Sequence, residues 1–314
     1  NRYFQIMDGI ASERTVRDVS NALELAAAKI YDTGTAAPDF AISRGEQINA
    51  VLIAGLLGHD YLDSAHLILF DSETRTLNYK ATIDRMRNIF QSSLTSSFVI
   101  PGFYGSAADS GGEDVITFSR GGSDVTGALV AAALSSSTDV VYENWTDVDG
   151  LYSADPSVCP NAKHMPRLGY DHLRAMAMSG ANVFHPDAID PVESTGVPTH
   201  VRNTFAPDEE GTWIVATEGL MGRENHYPTA MCVACVEDNI SVVCSDALPL
   251  TRDVICAHME AGLVSAGISF QPGMLEPRHP LIVSLGLSGR RTDESLRNAE
   301  AVQAIFATKL FSGD

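Results

Sequence analysis

The stretch SRGGSD, residues 119–124, sets a guanidinium, two glycines, a hydroxyl and a carboxylate directly before an apolar, Ala-rich run. Glycines let a backbone approach a ligand closely. Backbone N–H groups at the start of a helix carry partial positive charge and favour anions. Arg120 adds a planar fork suited to a carboxylate or a phosphate. Asp124 either caps the helix or holds an ammonium group. Taken alone, the stretch is equally a tight turn with Ser123 or Asp124 as N-cap. It is not a P-loop, because no Gly-Lys-Ser/Thr follows at the required spacing.

Two further clusters carry candidate chemistry. Arg44-Gly45-Glu46 is read as the opening of a helix, where Glu46 either complements the helix dipole or recognises an amino group. The segment NWTDVDGLYSADPSV brings Asp147, Asp149 and Asp155 within nine positions. Such aspartates serve turns by default. In a nucleotide site they would accept from an adenine amino group or ribose hydroxyls, with Tyr152 against the base. An EF-hand is excluded by spacing and by the missing closing Glu. Cys232 and Cys235 form a CxxC inside an apolar strand pattern without a second pair, so core packing is the better account and no metal site is expected. His185 has no nucleophile beside it in the sequence and reads as structural.

The elements that must position these clusters alternate. Residues 1–30 read as helix. Residues 40–42 read as a strand leading through Gly45 into a helix that ends at Leu57. HLILF, SSFVIPGFYG, DVITFS, TDVVYENW and GVPTHVRNT read as strands, with ATIDRMRNIFQSSL, the run from Val125, and YDHLRAMAMSG as helices, the last capped by Gly180. Apolar strands alternating with helices predict an α/β sandwich whose largely parallel sheet is buried on both faces. Ligands of such sheets sit beyond the carboxyl ends of the strands, where the polar clusters fall. Beyond a linker near residue 217, EGLMGRENH, the pattern becomes strand (230–244), helix (250–261), strands (268–270 and 281–287) and helix (294–310). That β-α-β-β-α order is short by one strand of a ferredoxin-like module.

Bulk properties bound the function. The 314 residues are 45% hydrophobic and 19% charged, which describes a folded chain with room for two domains. The net charge of −19 argues against nucleic acid and acidic membranes as partners, and any anionic ligand must be held by local chemistry. No apolar run approaches the roughly 20 residues of a membrane span. Five cysteines, an odd count, suit a reducing, cytoplasmic setting. The start at Asn1, without Met and already in a helical pattern, leads us to expect further residues upstream.

PGFYG, SRGGSD, TDVDGLYSADP, GANVFHP and VRNTFAPDEEGTWI, with SRGEQINA upstream, come in an order that resembles the aspartokinases of the amino-acid kinase family across about residues 40–215. The resemblance implies a three-layer amino-acid kinase fold over residues 1–216 and an ACT-like ferredoxin-like α+β regulatory domain over 217–314. It implies transfer of the γ-phosphoryl group of ATP, with Mg2+, to the side-chain carboxylate of L-aspartate. By similarity, Arg120 clamps the α-carboxylate, and Glu46 and Asp124 hold the α-ammonium. Gly121, Ser123 and Phe103 complete the acceptor pocket. Thr146, Asp147 and Tyr152 take the adenosine side of ATP, and Asp149, Asp155, Ser157, Asn182 and Val183 complete the nucleotide set. A homodimer and feedback by an amino acid such as lysine or threonine are expected on the same ground. The family's opening Lys-Phe-Gly-Gly-Thr segment is not in this sequence. Asn182, Ser157 and Ser119 stand where the family usually has Lys, Arg and Gly. A non-catalytic amino-acid-binding paralogue and a kinase of another amino acid are the competing readings.

Overall fold

The computed structural model describes residues 2–34, 37–93, 97–180, 184–216, 230–244, 251–272, 281–288 and 294–311. The chain divides into two compact units, residues 1–140 and 141–314. The expected linker EGLMGRENH, residues 218–226, lies outside the described residues.

The first unit opens with helices α1 (Arg2–Met7) and α2 (Glu13–Thr33) in place of the single helix expected over residues 1–30. Gly9 at φ 74° and Ser12 separate them, and the Ser12 hydroxyl caps α2 by accepting from the Thr15 N–H at 3.1 Å. Helix α3 (Pro38–Leu57) replaces the expected strand, turn and helix. Pro38 starts it, and Phe40, Ser43, Arg44, Ile48 and Leu52 bury one face at helical spacing. That periodicity overrides the short apolar run at 40–42 and carries the helix through Gly45. Glu46 therefore stands near the middle of a helix, not at its start.

Strands β1 (Asp60–Tyr61) and β3 (Phe98–Val99) pair in parallel. Strands β2 (Leu69–Phe70), β4 (Tyr104–Ala107) and β5 (Val115–Thr117) form a second sheet in the order β2-β4-β5. Helix α4 (Tyr79–Ser92) matches its sequence pattern. SSFVIPGFYG is two strands rather than one, broken by Pro101 and by Phe103, whose φ of 59° no strand accommodates. Strand β5 is an edge strand antiparallel to β4, so the SRGGSD turn follows an antiparallel strand rather than a parallel one. Helix α5 (Gly122–Leu134) starts three residues earlier than expected and buries Val125, Ala128, Leu129 and Ala132. Each large apolar side chain so buried contributes roughly 1.5–3 kcal/mol.

In the second unit, β6 (Tyr142–Thr146) lies beside β10 (Thr199–Asn203) in parallel. β10 meets β11 (Thr212–Val215) antiparallel, and β11 runs parallel to β9 (Arg167–Gly169). Strands β7 (Leu151–Tyr152) and β8 (His164–Met165) form a small hairpin sheet. The TDVDG cluster thus does follow a parallel strand, as expected. Helix α6 (Tyr170–Met178) ends at Ser179, with Gly180 just beyond at φ 97°, and α7 (Ile189–Thr195) follows.

Residues 230–244, expected as one strand, form a hairpin of β12 (Ala230–Val236) and β13 (Asn239–Cys244), with Glu237 at φ 52° in the turn. With β14 (Phe270–Gln271) and β15 (Ile282–Leu287) they make a four-stranded antiparallel sheet in the order β12-β13-β15-β14. The tail thus has four strands among its described residues where three were expected, in the chain order β-β-α-β-β-α. Helices α8 (Arg252–Ser265) and α9 (Glu294–Phe306) share a core with this sheet through Ile255, Met259, Leu263, Ala301 and Ile305. The fold is α/β with parallel and antiparallel pairs. No helix among the described residues is long and apolar enough to cross a membrane.

Candidate functional site

The turn before α5 is built by close packing of two loops. Gly121, at φ 63°, takes the N-cap position of α5, and no side chain caps that helix end. This overturns Ser123 or Asp124 as N-cap and leaves the first backbone N–H groups of α5 available to an anion. A Cβ added at Gly122 would lie 2.7 Å from the Phe103 Cα, and one at Gly102 would lie 2.9 Å from the Ser123 Cα. The Phe103 N–H donates to the Thr126 hydroxyl at 3.2 Å, and the Phe118 N–H donates to the Phe103 carbonyl at 2.9 Å. The fold therefore brings Phe103, Gly121 and Ser123 together. Arg120, between them in sequence, is exposed and forms no hydrogen bond or ion pair among the described residues. An unengaged guanidinium beside an uncapped helix start is suited to grip a carboxylate.

Glu46 is half-buried on α3, the helix that packs on β5 and whose Asp39 accepts from the Thr117 hydroxyl at 2.9 Å. Its neighbour Arg44 is buried, with its guanidinium over the rings of Phe40 (4.3 Å) and Tyr104 (5.3 Å), and donates to the Ser43 hydroxyl at 2.9 Å. Sequence reasoning missed a polar node beside these residues. Asp63 accepts from the Tyr104 hydroxyl at 2.8 Å, the Tyr61 hydroxyl at 2.9 Å and the Gln47 amide at 3.1 Å. Burial, and then the Asp63 charge, push both phenols well above the usual tyrosine range, so both stay protonated donors. The Asp-Ser pair before a 3-10 turn was the available signal.

In the second unit, Asp147, Asp149, Tyr152 and Asp155 line one cavity of about 770 Å³, together with Met176, Cys232–Cys235 and, on α9, Asn298 and Val302. Its lining includes three aspartates and, among the described residues, no Lys, Arg or His. Thr146 ends β6, and its hydroxyl donates to Asp147 at 3.3 Å. Ser157 is exposed and donates to Asp155 through both its N–H (2.8 Å) and its hydroxyl (2.6 Å). The Asp149 carboxylate accepts from Asn203 at 2.6 Å. Burial raises the Tyr152 phenol, with Asp149 and Glu209 adding to it, and keeps it a donor. Asn182 and Val183 lie outside the described residues. All five cysteines are free, and burial holds the Cys232 thiol protonated. Among the described residues, no three His, Cys, Asp or Glu side chains converge on a metal position.

The amino acid kinase family matches residues 5–203, well over half the sequence. The chain belongs to the amino acid kinase family. Among curated members it is similar to aspartokinase 3 of Bacillus subtilis, 35% identical over 178 residues, which are 55% of this chain and 38% of that protein. The chain thus spans well under two thirds of the length of the curated relatives it matches. Among solved structures of this family it is similar to the allosteric aspartate kinase of Clostridium acetobutylicum. The TM-score is 0.73 at 24% identity, over 94% of this chain and 80% of that one. It is also similar to E. coli aspartokinase III, solved in complex with aspartate and ADP (R-state), with a TM-score of 0.60 at 21% identity over 93% of this chain and 66% of that one. That enzyme has also been solved with lysine and aspartate (T-state). At these identities the two structures speak for the fold.

Proposed function

We propose that this chain is the kinase portion of an aspartokinase, phosphorylating the side-chain carboxylate of L-aspartate with ATP to give 4-phospho-L-aspartate, the first step towards lysine, threonine and methionine. The observation that carries the reading is the uncapped start of α5 beside the unengaged Arg120. In this reading Arg120 and the α5 N–H groups hold the α-carboxylate, Glu46 and Asp124 hold the α-ammonium, and Phe103, Gly121 and Ser123 wall the pocket. The free carboxylate oxygen attacks the γ-phosphorus as the bond to the bridging oxygen breaks and ADP leaves. A carboxylate is already ionised at neutral pH, so no general base is needed and the protein's work is positioning and charge compensation.

Thr146, Asp147, Asp149, Tyr152, Asp155, Ser157, Asn182 and Val183 are proposed for the nucleotide. The carboxylates around the cavity suit ribose hydroxyls or an amino group better than phosphates. They also suit Mg2+, a hard cation that takes oxygen ligands and is usually held by one or two carboxylates plus substrate phosphates. Absent a converging triad among the described residues, Mg2+ would be carried mainly by the phosphates. The domain assignment, a three-layer kinase sandwich over 1–216 and an ACT-like domain over 217–314, draws support from the four-stranded antiparallel sheet with two helices in the tail. The free cysteines favour a cytoplasmic setting. A lysine or threonine effector and a homodimer rest on the resemblance alone. The aspartates of the cavity, with no cation among its described lining residues, favour, as a second reading, a paralogue that kept the amino-acid pocket and lost phosphate chemistry. Measuring ADP release with L-aspartate against L-glutamate and other amino acids decides between them. L-aspartate-dependent release supports the kinase, and binding of L-aspartate without release supports the paralogue.

A further inference from the structure

We propose that Asp63 is a positioning residue that sets the order of the acceptor pocket, an inference that rests on the assignment of Arg120, Glu46 and Phe103 to that pocket. Asp63 touches none of the proposed ligand groups. One carboxylate oxygen accepts from the Ala65 N–H at 2.9 Å and the Tyr104 hydroxyl at 2.8 Å. The other accepts from the Gln47 amide at 3.1 Å and the Tyr61 hydroxyl at 2.9 Å. Two of these four arms end one residue from a pocket group. Gln47 follows Glu46 on α3, and Tyr104 follows Phe103 at the start of β4. Ser64, next in sequence to Asp63, donates its hydroxyl to the Pro101 carbonyl, immediately before Gly102. Phe103 and Gly102 in turn abut Gly122 and Ser123 at the start of α5. One carboxylate thus ties α3 and the Pro101–Tyr104 loop to a common point.

The loop needs such a restraint. Phe103 holds φ at 59°, a conformation a bulky residue adopts only when its surroundings over-determine it. Tyr104 is fully buried and donates to Asp63, and the Phe103 N–H donates to Thr126, so the strained residue is held from both sides. All four bonds to Asp63 come from donors; Asn at this position removes the charge and one acceptor oxygen at nearly unchanged volume, so either the Ala65 N–H meets a second donor, or Tyr61 and Gln47 must turn round to accept.

The test compares wild type with Asp63→Asn, and with Tyr104→Phe and Gln47→Leu, which each cut one arm. Amide hydrogen exchange in the absence of ligand is expected to rise about ten-fold in residues 102–104 and 119–126 of Asp63→Asn, with 230–244 unchanged. Tyr104→Phe should loosen 102–104 alone, and it carries the test if Asp63→Asn fails to fold. In turnover, KM for L-aspartate should rise about ten-fold while KM for ATP stays within about two-fold, a split that mere loss of folded enzyme does not produce. Folded Asp63→Asn and Tyr104→Phe with wild-type exchange at 102–104 overturn the proposal. A wild type that neither binds nor phosphorylates L-aspartate overturns the acceptor assignment instead, and exchange at 102–104 then judges the Asp63 restraint by itself.

Discussion

Arg120 and Cys232 show how differently two polar side chains can be used in one chain. Arg120 is exposed and unengaged, a cation held ready where the net charge is −19. Cys232 is sealed in β12, and burial pushes its thiol from 9.0 up to about 12. Cys244 is pushed up to about 11 by the same cause, with Arg252 pulling slightly back. The sign of the resulting pH dependence follows directly. An unfolded chain ionises these thiols from about pH 9, whereas the native chain keeps their protons until about pH 11 to 12. The contribution to stability is therefore complete below about pH 9 and is lost as pH rises from there. We expect the thermal midpoint to fall as pH rises from about 9 towards about 11, and Cys232→Val to flatten that fall. An identical slope in the variant would refute the assignment. At this scale the sequence was informative about the CxxC, whose residues pack in a strand as the missing second pair implied. It was silent on Asp63, because a hub is defined by partners 2 to 41 positions away, which only the fold brings together.

At the scale of elements, the pocket depends on two glycines that no side chain can replace cheaply and one that it can. At Gly122 a Cβ would meet the Phe103 Cα at 2.7 Å and the Phe118 Cβ at 2.6 Å. Gly122→Ala should cost about 1–3 kcal/mol in stability, measured by denaturant unfolding, and weaken L-aspartate binding as the Phe103 loop is displaced. Gly102 meets Ser123 in the same way. Gly45, inside α3 with nothing within 4 Å of its added Cβ, is the contrast: Gly45→Ala should stabilise by about 0.5–1 kcal/mol. Elements with strong helical period, such as α4 and α6, were legible in the sequence. The Phe40–Ile42 run was misread because three apolar or β-prone residues fit a strand and a helix face alike, and only the longer burial pattern through Leu52 decides. The tail hairpin was missed because the apolar run was read straight through Glu237-Asp238-Asn239, whose Asp and Asn are turn-forming residues and whose Glu237 takes the left-handed φ between β12 and β13.

Across the whole molecule, acidity governs how the proposed nucleotide, ATP, must be presented. The net charge is −19, and the cavity lined by Asp147, Asp149 and Asp155 has no cation among its described walls. Free ATP should therefore bind weakly, and Mg2+ should improve nucleotide affinity by about ten-fold or more by halving the phosphate charge. Fluorescence titration of a labelled nucleotide with and without Mg2+ checks this, and equal affinities would contradict it. The alternation of strands and helices and the order of the motifs made the family legible without a structure. The division at residue 140 was not legible, since it depends on which segments touch rather than on any change of composition.

The central claim is that the Arg120 guanidinium grips the acceptor at the start of α5, and the most direct measurement is calorimetric titration of L-aspartate into wild type and Arg120→Ala. Losing a charge-assisted pair of about 1.5–3 kcal/mol predicts at least a ten-fold weaker Kd, with an unchanged thermal midpoint because Arg120 makes no hydrogen bond or ion pair among the described residues. Equal affinity in the two proteins would contradict the account.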